Sequence, residues 1–292
     1  METPETKPQS WSSSPALPTS VSRLWRPAAQ RNLRNQWSKL ASYRKQWLSS
    51  SSSGRSHATS LVNAYLSQKY IPLMELGALS DMPDIRKKAS LKLFKQQELH
   101  GSNLLSSYKD MVTVIKHMVD AGRSMRCFLK GTSGSPLVQF SGTSEDNKDG
   151  GDGGGIRVFA FWSISSFENL AEELVQMFKL ELSLKRLLVV ELLSVSCEDQ
   201  QVNKVCWSDE LYPGEFNDLV ICNLYSEDNS EPVHPQLKEC KTDVPAVPHN
   251  SQPDHETLQV YLTTWLAEVN IDAHRVDEIF AIIGEEMHVM LS

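Results

Sequence analysis

The sequence predicts a mainly α-helical protein: a helical bundle with a small antiparallel β element of about three strands and disordered acidic and proline-rich insertions. Three observations predict it. Long segments repeat apolar residues at helical spacing. Runs that alternate as strands do are short and confined to 125–162. Two polar tracts, 141–155 and 226–256, hold almost no core-forming residues. With 292 residues the chain suffices for one or two domains, and its 40% hydrophobic content is lowered by those tracts.

Residues 1–21, rich in Ser, Pro and Thr, read as a disordered tail. Residues 22–48 form an amphipathic helix, with Pro27 in its first turn, where the missing N–H costs nothing. Counting about 100° per residue from Trp25, the side chains of Leu33, Trp37, Leu40, Tyr43 and Trp47 fall within roughly one third of the circumference. Arg31, Arg34, Lys39 and Lys45 lie outside that sector. The run SSSSSG at 49–54 is expected to end the helix.

A helical region follows over 55–122. A short helix from about 58 is closed by Pro72. A longer one starts near Pro83 with Ser80 or Asp81 as cap, bends at Gly101 and stops at Gly122. Its Leu104, Tyr108, Met111, Ile115 and Met118 make a coiled-coil-type seam. That seam is too short for an independent coiled coil, and intramolecular packing is the reading.

Residues 123–225 read as an α+β core region. MRCFLK and PLVQF, joined by GTSGS, make a hairpin, and IRVFAFW alternates as a third strand with Ile156, Val158, Ala160 and Trp162 on one face. The acidic, glycine-rich stretch 141–155 reads as a flexible linker. Ser165 and Glu168 form a capping-box pattern ahead of the most apolar helix, which carries the i,i+4 pair Glu181–Lys185. A short element is expected over 219–225. Residues 226–254 read as a disordered linker, and 255–292 as a pair of helices, the second capped by Asp272. Leu258, Leu262, Trp265 and Leu266 are expected to face Val276, Ile279, Phe280 and Ile283.

Charge divides the chain. Residues 1–130 carry 20 Lys and Arg against 8 Asp and Glu, a net of +12, whereas 131–292 carry 9 against 28, a net of −19. Such asymmetry points to an N-terminal half that meets something acidic, including its own C-terminal half. Five scattered cysteines without a C-x-x-C pair fit a reducing compartment. No apolar run reaches the roughly 20 residues of a membrane span, and the polar start does not read as a secretory signal.

The chemistry-bearing motifs fail one by one. GTSGS lacks the lysine and the helix of a P-loop, and DNKDGGDGGG lacks the ligand spacing of a calcium loop. His234, Cys240, His249 and His255 match no zinc spacing. Glu172–Glu173 and Glu285–Glu286 are adjacent on helices, so their carboxylates diverge. There is no nucleophile elbow. The expectation is therefore a non-enzyme, with no catalytic residue, metal, cofactor or small-molecule substrate.

The basic-aromatic helix carries the functional readings. In the first it docks a protein partner with a hydrophobic groove and an acidic rim, through Trp25, Leu33, Trp37, Leu40 and Trp47. Packing of the same face on its own protein ranks level with docking. In the second reading Arg23, Arg26, Arg31, Arg34, Arg44 and Lys45 contact an acidic partner or, without sequence specificity, nucleic acid. In the third, the absence of acidic residues from 6 to 74 marks a mitochondrial or plastid transit peptide. The sequence reading is a helical adaptor or scaffold subunit of a nuclear or chromosome-associated assembly. The nuclear expectation rests on charge asymmetry, reduced cysteines and the RKK at 86–88. Import into an organelle is the alternative.

Overall fold

The computed structural model describes residues 19–132, 135–140, 150–195, 205–226, 228, 231–237 and 253–291, with side chains at 19–23 and 129–140 outside that description. The expected N-terminal tail, most of the acidic loop and most of the proline-rich linker lie outside the described residues. Among the described residues the chain forms α1 (Thr19–Tyr70), α2 (Ile85–Arg123), β1 (Cys127–Thr132), β2 (Ser135–Phe140), α3 (Ile164–Leu193), α4 (Glu215–Ile221), α5 (His255–Ala267) and α6 (Ala273–Met287).

Helices α1 and α2 form a long antiparallel hairpin. Their pairing runs from Asn32, whose amide donates to Ser124 O and Met125 O, through Ser107 beside Ser53, to Gln97 bonded to Gln68. The seam of α2 (Leu104, Tyr108, Met111, Ile115 and Met118) is fully buried. Helix α3 packs across α1 and α2, with α5 and α6 each resting on α1 and α3. Nearly all the large buried apolar side chains of these elements belong to one core.

The serine run does not end α1. The helix continues through it because the small side chains make a notch for Trp265 of α5. The indole Nε1 donates to Ser51 O at 3.0 Å, and a Cβ on Gly54 would stand 2.6 Å from the Trp265 ring. Ser51 Oγ in turn donates to Glu268 Oε1 at 2.6 Å. Serine is a poor helix former because its hydroxyl competes for backbone groups. Here a tertiary acceptor takes that hydroxyl, and packing overrides propensity.

The third strand is not formed, and the β element is a two-stranded hairpin with Cys127 opposite Phe140 and Thr132 opposite Ser135. Residues 156–162 bend instead, with Val158 N–H donating to Trp162 O. Their polar groups are claimed by helices: Arg26 Nε and Gln30 Nε2 donate to Val158 O, Arg26 donates again to Phe159 O, and Glu286 Oε1 accepts from Phe161 and Trp162 N–H. A backbone satisfied this way has no need of a ladder. Burial falls on the adjacent Val158 and Phe159 while Phe161 is exposed, so the expected alternation is lost.

Other boundaries move for local reasons. Helix α2 begins after Pro83, from an Asp84 in the left-handed region at φ 60° with no side-chain cap bond, and neither Ser80 nor Asp81 caps it. Glu168 does not close a capping box; it holds Arg126 bidentately at 2.7 and 3.1 Å. The caps of α5 and α6 are made by Asp254 to Thr257 N–H and by Asp272 to Arg275 N–H. Leu266 is half exposed rather than turned to α6. Residues 231–237 are fastened rather than loose: Val233 N–H donates to Leu224 O, Ser183 Oγ to Val233 O and Trp207 Nε1 to Pro232 O.

Candidate functional site

The aromatic face of α1 lies inside the protein's own core. Trp25, Leu33, Trp37, Leu40 and Trp47 are all 0% exposed, so the face is not open to a partner. Trp25 Nε1 donates to Cys127 O at 2.9 Å, and Gly153 lies so close over its ring that a Cβ there would be 2.3 Å away. Trp37 meets Phe280 of α6 edge-on at 5.9 Å, its own Nε1 buried without a hydrogen-bond partner among the described residues. Trp47 meets Phe178 of α3 edge-on at 5.4 Å and donates to Glu268 Oε1 at 3.2 Å. Truncating a buried tryptophan costs about 3–5 kcal/mol, which is the scale on which this face serves the fold.

Much of the basic back of α1 is also turned to the protein itself. Arg26 donates to the carbonyls of 158 and 159. Arg34 donates to Met287 O at 3.2 Å and lies over the Phe159 ring. Arg44 pairs with Asp277 at 2.7 Å and lies over Phe280. Arg31 and Lys45 are exposed, and the Arg23 side chain lies outside the described residues. The basic N-terminal half is thus neutralised in part by the acidic C-terminal half. Lys116–Asp218, Arg126–Glu168 and Arg275–Glu173 are further pairs between the two sides or within the second.

The most elaborate polar constellation is centred on Arg186 and Glu215. The Glu215 carboxylate is 0% exposed and accepts from Arg186 Nε at 2.9 Å, Tyr108 OH at 2.7 Å and Leu211 N–H at 2.6 Å. Arg186 also donates to Trp207 O and Asp209 O, both at 2.6 Å, and lies over the Trp207 ring at 4.6 Å. Burial, then the Glu215 charge, raises the Tyr108 hydroxyl well above its ordinary range, so it stays a neutral donor. A fully satisfied network of this kind clamps the irregular segment 205–214 onto α3.

One turn away, Glu181 and Lys185 pair at 3.2 Å with both side chains 0% exposed. Lys185 also bonds Trp265 O and lies over the Trp265 ring, and Glu181 Oε2 accepts Asn270 N–H at 3.1 Å. Burial pushes the Glu181 carboxyl up and the Lys185 ammonium down, each against the pull of the opposite charge. The i,i+4 spacing was legible as a pair, but its burial was not. Arg186 and Glu215 were missed as partners. The available signal was Lys185 and Arg186 standing inside the most apolar stretch, since buried charges must be paired.

An open cleft of about 360 Å³ lies between the end of α2 and α3, lined in part by Arg123, Arg126, Glu168, Glu172 and Lys179. Both signs of charge line it, and Arg126 and Glu168 are already joined. Of the adjacent glutamates, Glu173 holds Arg275 and Glu286 holds the backbone of 161–162, so neither doublet converges on a common point. Among the described residues no group of three metal-ligating side chains gathers. His234 stacks on Trp207, and Cys240 and His249 lie outside the described residues. No helix of the described residues is long and apolar enough to cross a membrane. No family model, curated protein or solved structure matches the chain.

Proposed function

We propose that the chain is a non-enzymatic helical adaptor or scaffold subunit of a larger, nuclear or chromosome-associated assembly. One observation carries the reading: the buried charged side chains hold the chain's own backbone. Arg186, Glu215, Glu181 and Glu286 each bind peptide groups of non-helical segments. Catalytic groups by contrast converge on a cavity with their bonding capacity open to a reactant. The RKK at 86–88 is exposed at the start of α2, as an import signal must be. Docking through the tryptophan face drops out of the proposal because that face is buried. Organelle import with removal of the first fifty residues is disfavoured for the same reason, since cleavage would take Trp25, Leu33, Trp37, Leu40 and Trp47 out of the core.

Intact mass and native sedimentation of the protein from its own cells, with fractionation, test this. The expected result is the uncleaved chain in a nuclear complex well above 32.9 kDa. A chain sedimenting alone overturns the adaptor reading, and a shortened chain in an organelle overturns the assignment of place.

A further inference from the structure

We infer that the tip of the α1–α2 hairpin is a docking surface for an acidic amphipathic helix of a partner protein. The inference deepens the adaptor reading and rests on it. The tip begins where the core ends. Beyond Tyr65 the connection 71–84 consists of two single-turn 3-10 helices, Ile71–Leu73 and Gly77–Leu79, with turns between, and neither buries any residue. Helix–helix connections in bundles usually take about 2–8 residues, and longer ones are commonly functional. This one is longer and carries apolar side chains into solvent: Leu73 is 82% exposed, and Met74, Leu79 and Met82 are exposed too. Arg86 holds the Met74 carbonyl at 2.6 Å, which folds the connection back beside the first turn of α2.

The first turns of α2 carry further exposed apolar side chains. Ile85, Ala89, Leu93 and Gln97 recur every four residues and face inward, being half-buried or buried. Away from that face Leu91 and Leu99 are 57% and 58% exposed, with the exposed Lys88, Lys92 and Lys95 near them along the helix. At about 1.5 Å per residue the two leucines stand two turns, roughly 12 Å, apart. That matches the spacing at which an amphipathic helix repeats its own apolar anchors. Between 85 and 97 there are five cations and no acid, so an occupant with acidic flanks is complementary. Exposed methionines suit such a surface because their side chains repack easily. Nucleic acid fits less well. Tyr70 is the one exposed aromatic over 66–100 available for stacking, whereas exposed leucines and methionines offer nothing to a phosphate backbone.

The probe is a fluorescein-labelled helical peptide of about sixteen residues, with leucines at two-turn spacing and glutamates on the flanks, titrated against the full chain by anisotropy. A scrambled peptide of the same composition is the reference. The expected result is saturable binding, weakened about tenfold or more by scrambling, by Leu91→Ala with Leu99→Ala, and by Lys88→Glu with Lys92→Glu and Lys95→Glu. All five positions are exposed, and unchanged circular dichroism and melting show that the variants fold. The inference is overturned by no binding, by equal binding of the scrambled peptide, or by insensitivity to the tip variants. It is also overturned if a DNA duplex or phosphatidylserine vesicles engage the tip more tightly than the peptide, or if sedimentation shows the tip joining two copies of this chain. A chain that fails to bind the peptide yet sediments in a large native complex removes the tip and leaves the adaptor reading standing.

Discussion

Changing Glu215 to glutamine tests whether the buried network holds the irregular C-terminal segments to the bundle. The substitution preserves shape but removes the charge and turns one acceptor oxygen into a donor. Both oxygens are occupied: Oε1 by Arg186 Nε and Tyr108 OH, Oε2 by Leu211 N–H and a second, longer contact from Arg186. Whichever way the amide is turned, an NH2 group meets at least one donor. Hydrogen bonds to a charged acceptor contribute about 1.5–3 kcal/mol each, against about 1 for neutral ones. Arg186, 1% exposed, would also keep its charge without a carboxylate beside it, and breaking such a pair costs about 3–5 kcal/mol. Against a total stability of about 5–15 kcal/mol this is a large fraction. Urea unfolding followed by circular dichroism reads it directly. Glu168→Gln is the internal reference, because Arg126 is about half exposed in that pair and surface pairs contribute about 0–1 kcal/mol. Adding Arg186→Met to Glu215→Gln should return part of the loss, since the uncompensated charge is then gone. A Glu215→Gln loss below about 1 kcal/mol, no larger than the surface reference, would refute the argument.

Other outcomes follow from single contacts. Gly54→Ala should destabilise, although alanine is worth about 1 kcal/mol more than glycine in a helix interior, because its Cβ would stand 2.6 Å from Trp265; thermal melting gives the sign. Gly153→Ala should destabilise by about 1–3 kcal/mol or more, since φ is +66° and the Trp25 ring occupies the space, and tryptophan fluorescence should shift with it. Burial raises the Cys127 thiol to about 11 and the Cys222 thiol to about 12, so at pH 8 both should resist a disulfide reagent while the exposed Cys206 reacts. The same shifts fix a sign: stability from keeping these thiols neutral is complete below the ordinary value of 9.0 and is lost as pH rises through 11 to 12. The unfolding midpoint should therefore fall progressively above pH 9, and a flat midpoint up to pH 11 would count against it.

The sequence by itself determined the helical class, the amphipathic side of the long helices and the aspartate from which α6 starts. Those features depend on neighbours three or four residues apart, and the identity of a face is settled before anything packs on it. The seam from Leu104 to Met118 and the cap at Asp272 were legible for that reason. What lies against each face was decided only by tertiary structure. The tryptophan stripe of α1 reads equally well as a docking face or a core face, and Phe178, Phe280 and Gly153, distant in sequence, made it core. The serine run became helix because Trp265 and Glu268 supplied long-range partners, and 156–162 lost its strand because Arg26 and Glu286 took its peptide groups first. Hydrogen bonds and contacts between residues a hundred or more positions apart leave no local period, and a charged side chain such as Arg186 in an apolar run announces that a partner exists without saying where. Which apolar side chains stay exposed, Leu73, Met74, Leu91 and Leu99 among them, was likewise decided only by tertiary packing.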